Sequence, residues 1–560
     1  MPDNQVTDGS APVVDSTDRM GGAPDSLARR LALRVSGRLG VPGREWAALI
    51  AITVLAAADR FVNLPNRFTW NTDQGVEVGA IWNAVVTRQL PTFGSPAFST
   101  GGTFHHGALF YDLMIPFAWL GNGNPDVLVV AIALFGMAVI PLVWWTARSI
   151  GGTSADIAAA LLAAVSPALI DYSTLIWNPV LVETGVALAC FGAWQAWSTG
   201  GPRWWVVAAA GTALASQSHL TGLVLVFPMA IFFLVALRRC PAGNRRRLIG
   251  WGIAGVGLFV LTWMPWIVSE LTHNFAETRA MLAFTQPGES TADPIARLVF
   301  ALIRIQAWPM THWPLDDLTG GFIAALLIAV GVTAGMIWRV TGALAARGPK
   351  SAVTAARRER AGLLFIGGSL LLISTTLGLG IKELGQVQNI NQEQYHVVAD
   401  VFVILATALI VAGLWRAAPL RGRPWSGHAL AVLAMVGLIA VGIAHWPPFT
   451  ASDGGWPSAT AAATRLEKDA AAPEFALIDI PSFKGPQEYS YPLTLDGVKL
   501  IDPADAQTVV ILCDVDWAEG CGGTAEAAWI ASTLPDANLT LIDRFEPTTG
   551  RILSVYRREP

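Results

Sequence analysis

The chain has 560 residues, of which 53% are hydrophobic and 14% are charged, and its net charge is −4 at neutral pH. A soluble protein carries about 25% charged residues, so this composition excludes an ordinary soluble enzyme. The charge balance gives no sign of nucleic-acid binding. The chain has 23 tryptophans, and several of them cluster at the ends of apolar segments, as at Trp144-Trp145 and Trp204-Trp205, which is typical of aromatic belts in membrane proteins.

The first 45 residues are polar and then rich in arginine. They contain no apolar stretch followed by a small-residue cleavage site, so they do not read as a signal peptide. We expect residues 1–45 to form a disordered cytoplasmic tail.

About eleven long apolar segments follow, each suited to crossing a bilayer as a helix. Basic residues fall in alternate connections between them, for example at Arg238-Arg239 and Arg245–Arg247. A cytoplasmic N-terminus would place all of these arginines in the cytoplasm, and an odd number of spans leaves the C-terminus outside. The predicted spans are residues 46–62, 125–147, 153–170, 177–198, 204–219, 220–238, 248–269, 321–340, 361–381, 397–416 and 427–446.

This topology requires that residues 107–121 do not cross the membrane. The segment is short and contains Asp112 and Pro116, which favours an interfacial helix lying on the membrane surface. Three large pieces are then outside the cytoplasm: a first loop at 63–124, a second at 270–320, and everything after residue 446. The sequence predicts a multi-pass protein of the plasma (inner) membrane.

The expected fold class is an all-α polytopic membrane protein, residues 46–446, with a small extracytoplasmic α/β domain at residues 447–560. Cys513 and Cys521 lie in that domain, where a disulfide is the expected state. A metal site is disfavoured because no histidine lies nearby. The predicted strands are Glu474–Ile480, Thr508–Asp514, Asn538–Phe545 and Ile552–Arg557, and the predicted helix is Thr524–Thr533.

Four groups of polar residues fall on the outer side in this topology. Ionisable groups in or against a membrane are costly, so such a concentration indicates a functional site. Taken singly, each residue has a structural explanation: His219 can be a packing residue, Glu183 can pair with His219 or an arginine, and Lys382 can snorkel to the interface. The groups are Asp73, Glu77, Arg88, His105, His106 and Asp112; Asp171, Tyr172, Trp177, Asn178 and Glu183; Gln217 and His219; and Lys382, Glu383, Gln392, Glu393, Gln394, Tyr395 and His396.

A carboxylate on an outer loop, with cationic and hydrogen-bonding groups around it, suits group transfer from a lipid-linked donor. The carboxylate can accept the proton of an acceptor hydroxyl, and the other groups can stabilise the departing phosphate. No glycine-rich phosphate loop is present, which disfavours a nucleotide-sugar donor. Hydrolase motifs of the Gly-x-Ser-x-Gly and His-Glu-x-x-His types are also missing from the sequence.

Several short segments form a pattern in chain order. They are Arg60-Phe-Val-Asn-Leu64, Trp70-Asn-Thr-Asp73-Gln74, Phe104-His105-His106-Gly107, Ser166-Pro167 with Tyr172-Ser173, Trp177-Asn178-Pro179 and Gln394-Tyr395-His396. Together they resemble the GT-C membrane glycosyltransferases, in particular the superfamily of dolichyl-phosphate-mannose protein mannosyltransferases and lipid A aminoarabinose transferases. The resemblance covers residues 46–240 well and residues 380–415 loosely.

The resemblance implies an inverting transferase that uses a polyprenyl-phosphate sugar on the outer face of the membrane. Asp73 would be the catalytic base. Combined with the outer polar groups, it gives His105, His106, Tyr395, His396 and Lys382 as candidates for the donor phosphate, and Glu77, Arg88, Asp171, Asn178, Glu183 and His219 as candidates for support or acceptor binding.

This chain departs from the family pattern at three positions. Gln74 replaces the second residue of an acidic pair, and Asn178 stands near a second outer-loop Asp, for which Asp171 or Glu183 could substitute. A histidine at 105 or 106 replaces the family's basic residue. Because histidine holds phosphate best when protonated, donor binding is expected to depend on pH.

We therefore expect a hexosyl- or pentosyltransferase that acts on an envelope glycan, a glycolipid or a protein hydroxyl, in contact with membrane lipid and not with nucleic acid. No cofactor is predicted with certainty, and a divalent cation at Asp73, Glu77 and His106 is left open. A flippase of lipid-linked sugar is one alternative, although it should carry ionisable residues on both sides of the membrane. A catalytically dead relative is another, and Gln74 and Asn178 fit such decay.

Overall fold

Helices dominate the computed structural model of the protein, which describes residues 42–99, 102–283, 293–312, 320–345, 350–381, 384, 393–417, 425–482 and 485–559. The chain separates into two units, Met1–Ile50 and Ala51–Pro560. The described part of the first unit is residues 42–50, which begin the first helix. The site and the C-terminal domain belong to the second unit.

The first part of the chain forms helix α1 (Gly43–Phe61), helix α2 (Thr72–Thr87), and a hairpin of strands β1 (Pro96–Ser99) and β2 (Gly102–His105). The hairpin was not anticipated from the sequence. It is followed by α3 (Leu109–Leu120), which at 12 residues is about 18 Å long and too short to cross a bilayer. Its length agrees with the interfacial helix expected at residues 107–121.

The remaining helices of the membrane module are α4 (Pro125–Gly151), α5 (Thr153–Val165), α6 (Pro167–Asp171), α7 (Val182–Thr199), α8 (Trp204–Ser218), α9 (Val226–Arg239), α10 (Ala242–Thr262), α11 (Met264–Thr272), α12 (Ala276–Ala283), α13 (Pro294–Thr311), α14 (Gly320–Ala345), α15 (Lys350–Gly380), α16 (Asp400–Arg416) and α17 (Ser426–Ala444). Short 3-10 segments precede α7, α9 and α16. Helix α13 lies in the region predicted as the second outer loop, and Asp293 caps it by accepting from the Ile295 N–H.

Seven helices among the described residues are long and apolar enough to cross a membrane, or eight if α10 and α11, which meet at 60°, form one broken span. They coincide with eight of the eleven predicted spans. The helices at the other three predicted positions are shorter or more polar: α5 has 13 residues, α8 has 15, and α1 carries Arg44, Glu45, Asp59 and Arg60. The protein is a multi-pass membrane protein, and a total of about eleven crossings stays a prediction.

Helices α7 and α8 form a tightly packed antiparallel hairpin. A Cβ added at Gly185, Gly192 or Gly211 would come within 2.4–2.6 Å of backbone nitrogen in the facing helix. Small residues let helix backbones approach in this way inside membranes. The hairpin therefore has two fixed ends, with Glu183 and Ser218 at one and Thr199 and Trp204 at the other.

The C-terminal domain contains α18 (Gly455–Ala470), β3 (Glu474–Ile480), α19 (Gln487–Leu495), β4 (Lys499–Leu500), β5 (Thr508–Asp514), α20 (Thr524–Thr533), β6 (Leu539–Thr548) and β7 (Arg551–Arg558). Its sheet has the order β4-β3-β5-β7-β6, with β3 parallel to β4 and β5, and with β7 antiparallel to β5 and β6. The four strands and the helix expected from the sequence are all present. A disulfide joins Cys513, the penultimate residue of β5, to Cys521.

This domain is held directly against helix α2. The Trp70 indole N–H donates to the Glu488 carbonyl at 2.8 Å, and the Trp70 backbone N–H donates to Asp453 at 2.8 Å. Thr72 donates to the Gly485 carbonyl at 3.3 Å, one residue before Asp73. An edge-to-face contact between Trp70 and Trp456, with ring centroids 4.5 Å apart, adds to these hydrogen bonds. The C-terminal domain thus holds the helix end that carries Asp73.

Gly75→Ala should loosen this contact, because a Cβ at Gly75 would lie 2.4 Å from the Gln487 carbonyl oxygen. We expect faster backbone hydrogen exchange across α19 in the full-length protein. Gly79→Ala is the matched control, since its Cβ meets only Tyr491 at 3.7 Å in ordinary contact. Both changes replace glycine by alanine inside a helix, which stabilises the helical conformation by up to about 1 kcal/mol. Equal exchange in the two variants would contradict the contact at Gly75.

Candidate active site

Asp73 is the second residue of helix α2 and has an exposed side chain. Asn71 caps the helix by accepting from the Asp73 backbone N–H at 2.9 Å. The first turn of a helix favours a negative charge, because the free N–H groups and the helix dipole point towards it. The carboxylate is therefore presented at a rigid helix end, where a bound hydroxyl can reach it.

Gln74 has a structural role that a carboxylate could not fill. Its side-chain carbonyl accepts from the Asn71 N–H at 3.2 Å, which completes a capping box. Its amide donates to the Ile176 carbonyl at 3.1 Å, and the side chain is buried. An ionised glutamate has no donor for that carbonyl. Gln74, which replaces an acidic residue of the family pattern, thus connects α2 to the turn before Asn178.

Glu77 lies one helical turn after Asp73 and is only 1% exposed. It accepts from the Asn178 backbone N–H at 3.3 Å, and the hydroxyls of Ser95 and Tyr111 also interact with it. Burial raises the pKa of Glu77 to about 7, and the neighbouring Asp73 acts in the same direction. Two carboxyl groups about 6 Å apart along one helix therefore sit in different environments, one exposed and one buried.

Asn178 connects the α2 helix to the α7–α8 hairpin. Its backbone N–H donates to Glu77, and its side-chain amide donates to the Ser218 carbonyl at 2.6 Å. An aspartate at this position would put a carboxylate against that carbonyl oxygen, with no proton to donate. The amides at 74 and 178 thus serve the same purpose, since each satisfies a backbone carbonyl beside the candidate base.

His106 and His219 form a buried pair behind Glu77. Their ring centroids are 4.7 Å apart, and His219 also lies 5.7 Å from the ring of Tyr395. The Leu220 N–H donates to His106 Nδ1 at 3.2 Å, so the neutral ring carries its proton on Nε2. Burial lowers the pKa of His106 to about 3, with His105 adding to the effect. His106 is therefore an uncharged donor at neutral pH, which is different from the protonated phosphate ligand expected from the sequence.

His105 is oriented away from this pair. Its Nδ1 lies 3.1 Å from both carboxylate oxygens of Glu277, and its ring stacks on Phe93 at 5.0 Å. Its backbone N–H also donates to Glu277 at 2.6 Å. A donor phosphate at His105 would have to compete with that carboxylate, so His106 is better placed for the role.

A second buried polar cluster lies beside the site, at the ends of α7 and α16. Glu183 and Asp400 interact with each other and are almost fully buried, and His396 Nδ1 lies 3.9 Å from Asp400. Asp400 was not among the residues predicted from the sequence, although a lone carboxylate within the apolar run from Val397 to Phe402 is a usable signal.

Two further residues of this region, His312 and Arg304 on or after α13, were also missed. His312 Nε2 lies 3.4 Å from the Asp171 carboxylate. Burial acts to lower the pKa of His312, but the hydrogen bond and charge of Asp171, with Glu393, raise it overall. Asp171 is thereby occupied by a partner. Arg304 is 3% exposed and acts electrostatically on His396 and Glu393.

Arg60 has a structural role. Its guanidinium is fully buried and donates to Asp59 at 2.8 Å, to Ser173 at 3.3 Å, and to the carbonyls of Ala163 and Ala164. The motif that begins at Arg60 and the Tyr172-Ser173 motif therefore meet through this one side chain. It connects α1 to the end of α5 and to the turn after α6.

The remaining expected residues are not part of this arrangement. Arg88 is exposed at the C-terminal cap of α2, about 22 Å along the helix from Asp73, and its supporting or acceptor-binding role stays a prediction. Asp112 is half-buried, and burial raises its pKa to about 6. Lys382, Glu383 and Gln392 lie outside the described residues. Among the residues that the structure does describe, no group of three or more His, Cys, Asp or Glu is arranged to hold a metal ion.

Comparisons with known proteins identify the same resemblance. The family model for dolichyl-phosphate-mannose-protein mannosyltransferase matches residues 108–268. The structure of ArnT from Cupriavidus metallidurans bound to undecaprenyl phosphate is similar, with a TM-score of 0.54 and 14% identity over 90% of this chain and 97% of that chain. A comparison with curated proteins finds no significant match.

Two further solved structures are more distant. ArnT from the same organism in the apo state has a TM-score of 0.47 and 15% identity, again over 90% of this chain and 97% of that chain. The oligosaccharyltransferase of Archaeoglobus fulgidus with zinc and sulfate has a TM-score of 0.46 and 13% identity, over 84% of this chain and 70% of that chain. The family-model match and the ArnT structure with the TM-score of 0.54 confirm the resemblance predicted from the sequence motifs, and the chain shares the fold of that ArnT structure.

The raised pKa of Glu77 makes stability depend on pH. Folding favours the protonated carboxyl, so this contribution is present below the ordinary value of 4.5 and is lost as the pH rises towards 7. Glu77→Gln mimics the neutral form of the carboxyl. We expect the free energy of unfolding of this variant to rise by on the order of 3 kcal/mol relative to that of wild type as the pH goes from 4.5 to 8. The measurement is the melting temperature of both proteins across that range.

The exposed Glu519 provides the control for this titration. Glu519→Gln removes the same charge from an exposed position, and its melting curve is the baseline against which that of Glu77→Gln is compared. A Glu77→Gln variant whose melting curve stays parallel to that of wild type would show that Glu77 ionises normally in the folded protein.

Proposed function

We propose that the protein is a membrane glycosyltransferase that moves a sugar from a polyprenyl-phosphate donor to a hydroxyl group, with inversion and with Asp73 as the general base. The observation that carries this proposal is the exposed Asp73 on a helix end fixed from both sides, next to the buried Glu77. Glu77 is linked through Ser95, which accepts from the His106 N–H at 3.0 Å, to the histidine pair.

In this mechanism, Asp73 accepts the proton of the acceptor hydroxyl while its oxygen attacks the anomeric carbon of the sugar. The new bond is between the acceptor oxygen and that carbon. The bond between the carbon and the phosphate oxygen breaks, and the electron pair leaves on the polyprenyl phosphate. Attack opposite to the leaving group inverts the anomeric configuration.

The departing phosphate needs donors that are already in position when negative charge develops. His106 supplies an Nε2 proton from a neutral ring, with His219 and Tyr395 in contact behind it. Neutral donors do not lose charge between pH 5 and pH 8, so we infer that donor binding does not follow the titration of these histidines. A cation from Lys382 would add to this set, and a divalent ion is left open.

The substrate class rests on likeness to other proteins. The family model describes a dolichyl-phosphate-mannose-protein mannosyltransferase, and the fold is shared with ArnT in a complex with undecaprenyl phosphate. Both descriptions name a polyprenyl-type phosphate. The acceptor is proposed to be an envelope glycan, a glycolipid or a protein hydroxyl on the outer face of the plasma membrane, where the C-terminal domain of residues 447–560 would meet it.

Two competing functions are less well supported. A flippase needs ionisable groups along a path through the membrane, whereas Glu183, Asp400 and His396 meet near the same end of the bundle as Asn178. A dead relative would explain Gln74 and Asn178 as decay. Both amides instead make specific donations that carboxylates could not make, and Asp73 itself is intact.

Asp73→Asn should reduce sugar transfer by at least about 100-fold while donor binding is retained, because the variant loses the base and keeps the shape of the side chain. The measurement is transfer of labelled sugar from polyprenyl-phosphate donors to an envelope extract by the full-length protein in nanodiscs. Binding of polyprenyl phosphate is measured in parallel.

Asp126→Asn is the matched control. Asp126 is likewise two residues after a capping Asn, and Asn124 accepts from its backbone N–H at 2.9 Å, as Asn71 does for Asp73. The control should transfer sugar at the wild-type rate. Equal rates for the two variants would remove Asp73 from the mechanism, and no transfer by wild type with any donor would favour the dead relative or the flippase.

A further inference from the structure

A cavity of about 320 Å³ lies at the end of the α7–α8 hairpin that is opposite to the candidate active site. Its polar and aromatic lining consists of Trp197, Trp205, Arg239, Asn244 and Arg247. These residues come from the end of α7, the start of α8, the end of α9 and the start of α10. Because α7 has 18 residues, this end is about 27 Å from the turn at Asn178.

The charge around this cavity is of one sign. Between Glu183 and Glu270 the sequence contains no Asp or Glu, while it contains six arginines, at 203, 238, 239, 245, 246 and 247. No ion pair joins Arg239 or Arg247 to a carboxylate among the described residues. Glu359, on the helix α15 that packs against α9, is already paired with Arg339 and Arg416. The guanidinium groups at the cavity therefore lack a protein counter-charge in the described part of the chain.

Arg239 is an exposed side chain that lies over an aromatic ring. Its guanidinium carbon is 5.2 Å from the centroid of the Trp197 ring, and Trp197 stacks on Phe232 with ring centroids 4.9 Å apart. Arg247, also exposed, lines the cavity from the second turn of α10. The planar guanidinium of an arginine matches a phosphate through two parallel hydrogen bonds.

The surface next to the cavity on α10 includes an exposed aromatic side chain. Trp251, one turn after the cavity-lining Arg247 and on the same face of the helix, is 38% exposed. In a membrane protein such side chains contact the lipid at its interface. The cavity thus joins a cationic pocket to a surface that suits a lipid, which is the combination an anionic lipid requires.

The positive-inside rule explains arginines at this end of the helices without any ligand. That rule concerns only the charge of a connection. It does not predict an indole-lined cavity that takes in Arg239 and Arg247 and leaves out Arg238, Arg245 and Arg246 of the same connection.

We propose that this cavity binds the phosphate headgroup of an anionic membrane phospholipid, with Arg239 and Arg247 as its phosphate ligands and Asn244 as an additional donor. The lipid tails lie along α10, past Trp251. This site is separate from the one that holds the sugar donor in the proposed function, and its test does not depend on transferase activity.

The test is native mass spectrometry of the full-length protein released from detergent in the presence of phosphatidylglycerol, with phosphatidylcholine as the zwitterionic comparison. Wild type should retain one tightly held phosphatidylglycerol. Arg239→Gln with Arg247→Gln should bind it roughly tenfold more weakly or worse. Arg238→Gln with Arg246→Gln removes the same charge from the same connection outside the cavity, and it should retain the lipid.

Three results would overturn the proposal: equal weakening in both double variants, no weakening in the cavity variant, or equal retention of phosphatidylcholine by wild type. Binding of soluble glycerol 3-phosphate as tightly as phosphatidylglycerol would also overturn it, because the ligand would then not be a lipid. If the double variant Arg239→Gln with Arg247→Gln does not fold, the double variant Arg239→Lys with Arg247→Lys replaces it. This second variant keeps both positive charges and removes the planar guanidinium groups. Phosphatidylglycerol affinity should fall here too, and unchanged affinity would contradict the proposed ligands.

Discussion

The arrangement of the site depends on one constraint, which is that the first turn of helix α2 is held on two sides. On one side Gln74 donates to the Ile176 carbonyl in the membrane module. On the other side Thr72 and Trp70 donate to carbonyls of the C-terminal domain. A carboxylate used as a base must stay within hydrogen-bond reach of its substrate. An exposed side chain such as Asp73 can meet that requirement only when its backbone is fixed by neighbours of this kind.

Burial then separates the roles of two acidic residues one turn apart. Asp73 faces solvent, whereas Glu77 is enclosed and has a raised pKa of about 7. Pairs of carboxyl groups in different environments are a common way for one site to hold a base and a neutral hydrogen-bonding group together. Here Glu77 accepts from the Asn178 N–H, so its state is coupled to the turn that carries Asn178 and, through the Ser218 carbonyl, to the α7–α8 hairpin.

The sequence predicted those features that depend on local pattern. Long apolar runs located the membrane helices, and a short apolar run located the strand Thr508–Asp514, which is buried along its whole length. It failed where the outcome depends on packing between distant segments. His312 meets Asp171 only because α13 folds back into the bundle, and the pairing of His105 with Glu277 spans 172 residues. Neither contact leaves a periodic signal, and a single sequence without an alignment cannot show that such residues meet.

Gln74 and Asn178 both depart from the family pattern, and their hydrogen bonds change how that departure is interpreted. Read from the sequence, the loss of two carboxylates fits decay of an active site. In the structure each amide donates to a buried backbone carbonyl, and leaving a buried carbonyl without a donor costs about 1–3 kcal/mol. A site that decays without selection has no reason to acquire two hydrogen bonds of this kind. The amides are therefore better explained as supports that hold Asp73 and Glu77 in place, which is consistent with a site that still works.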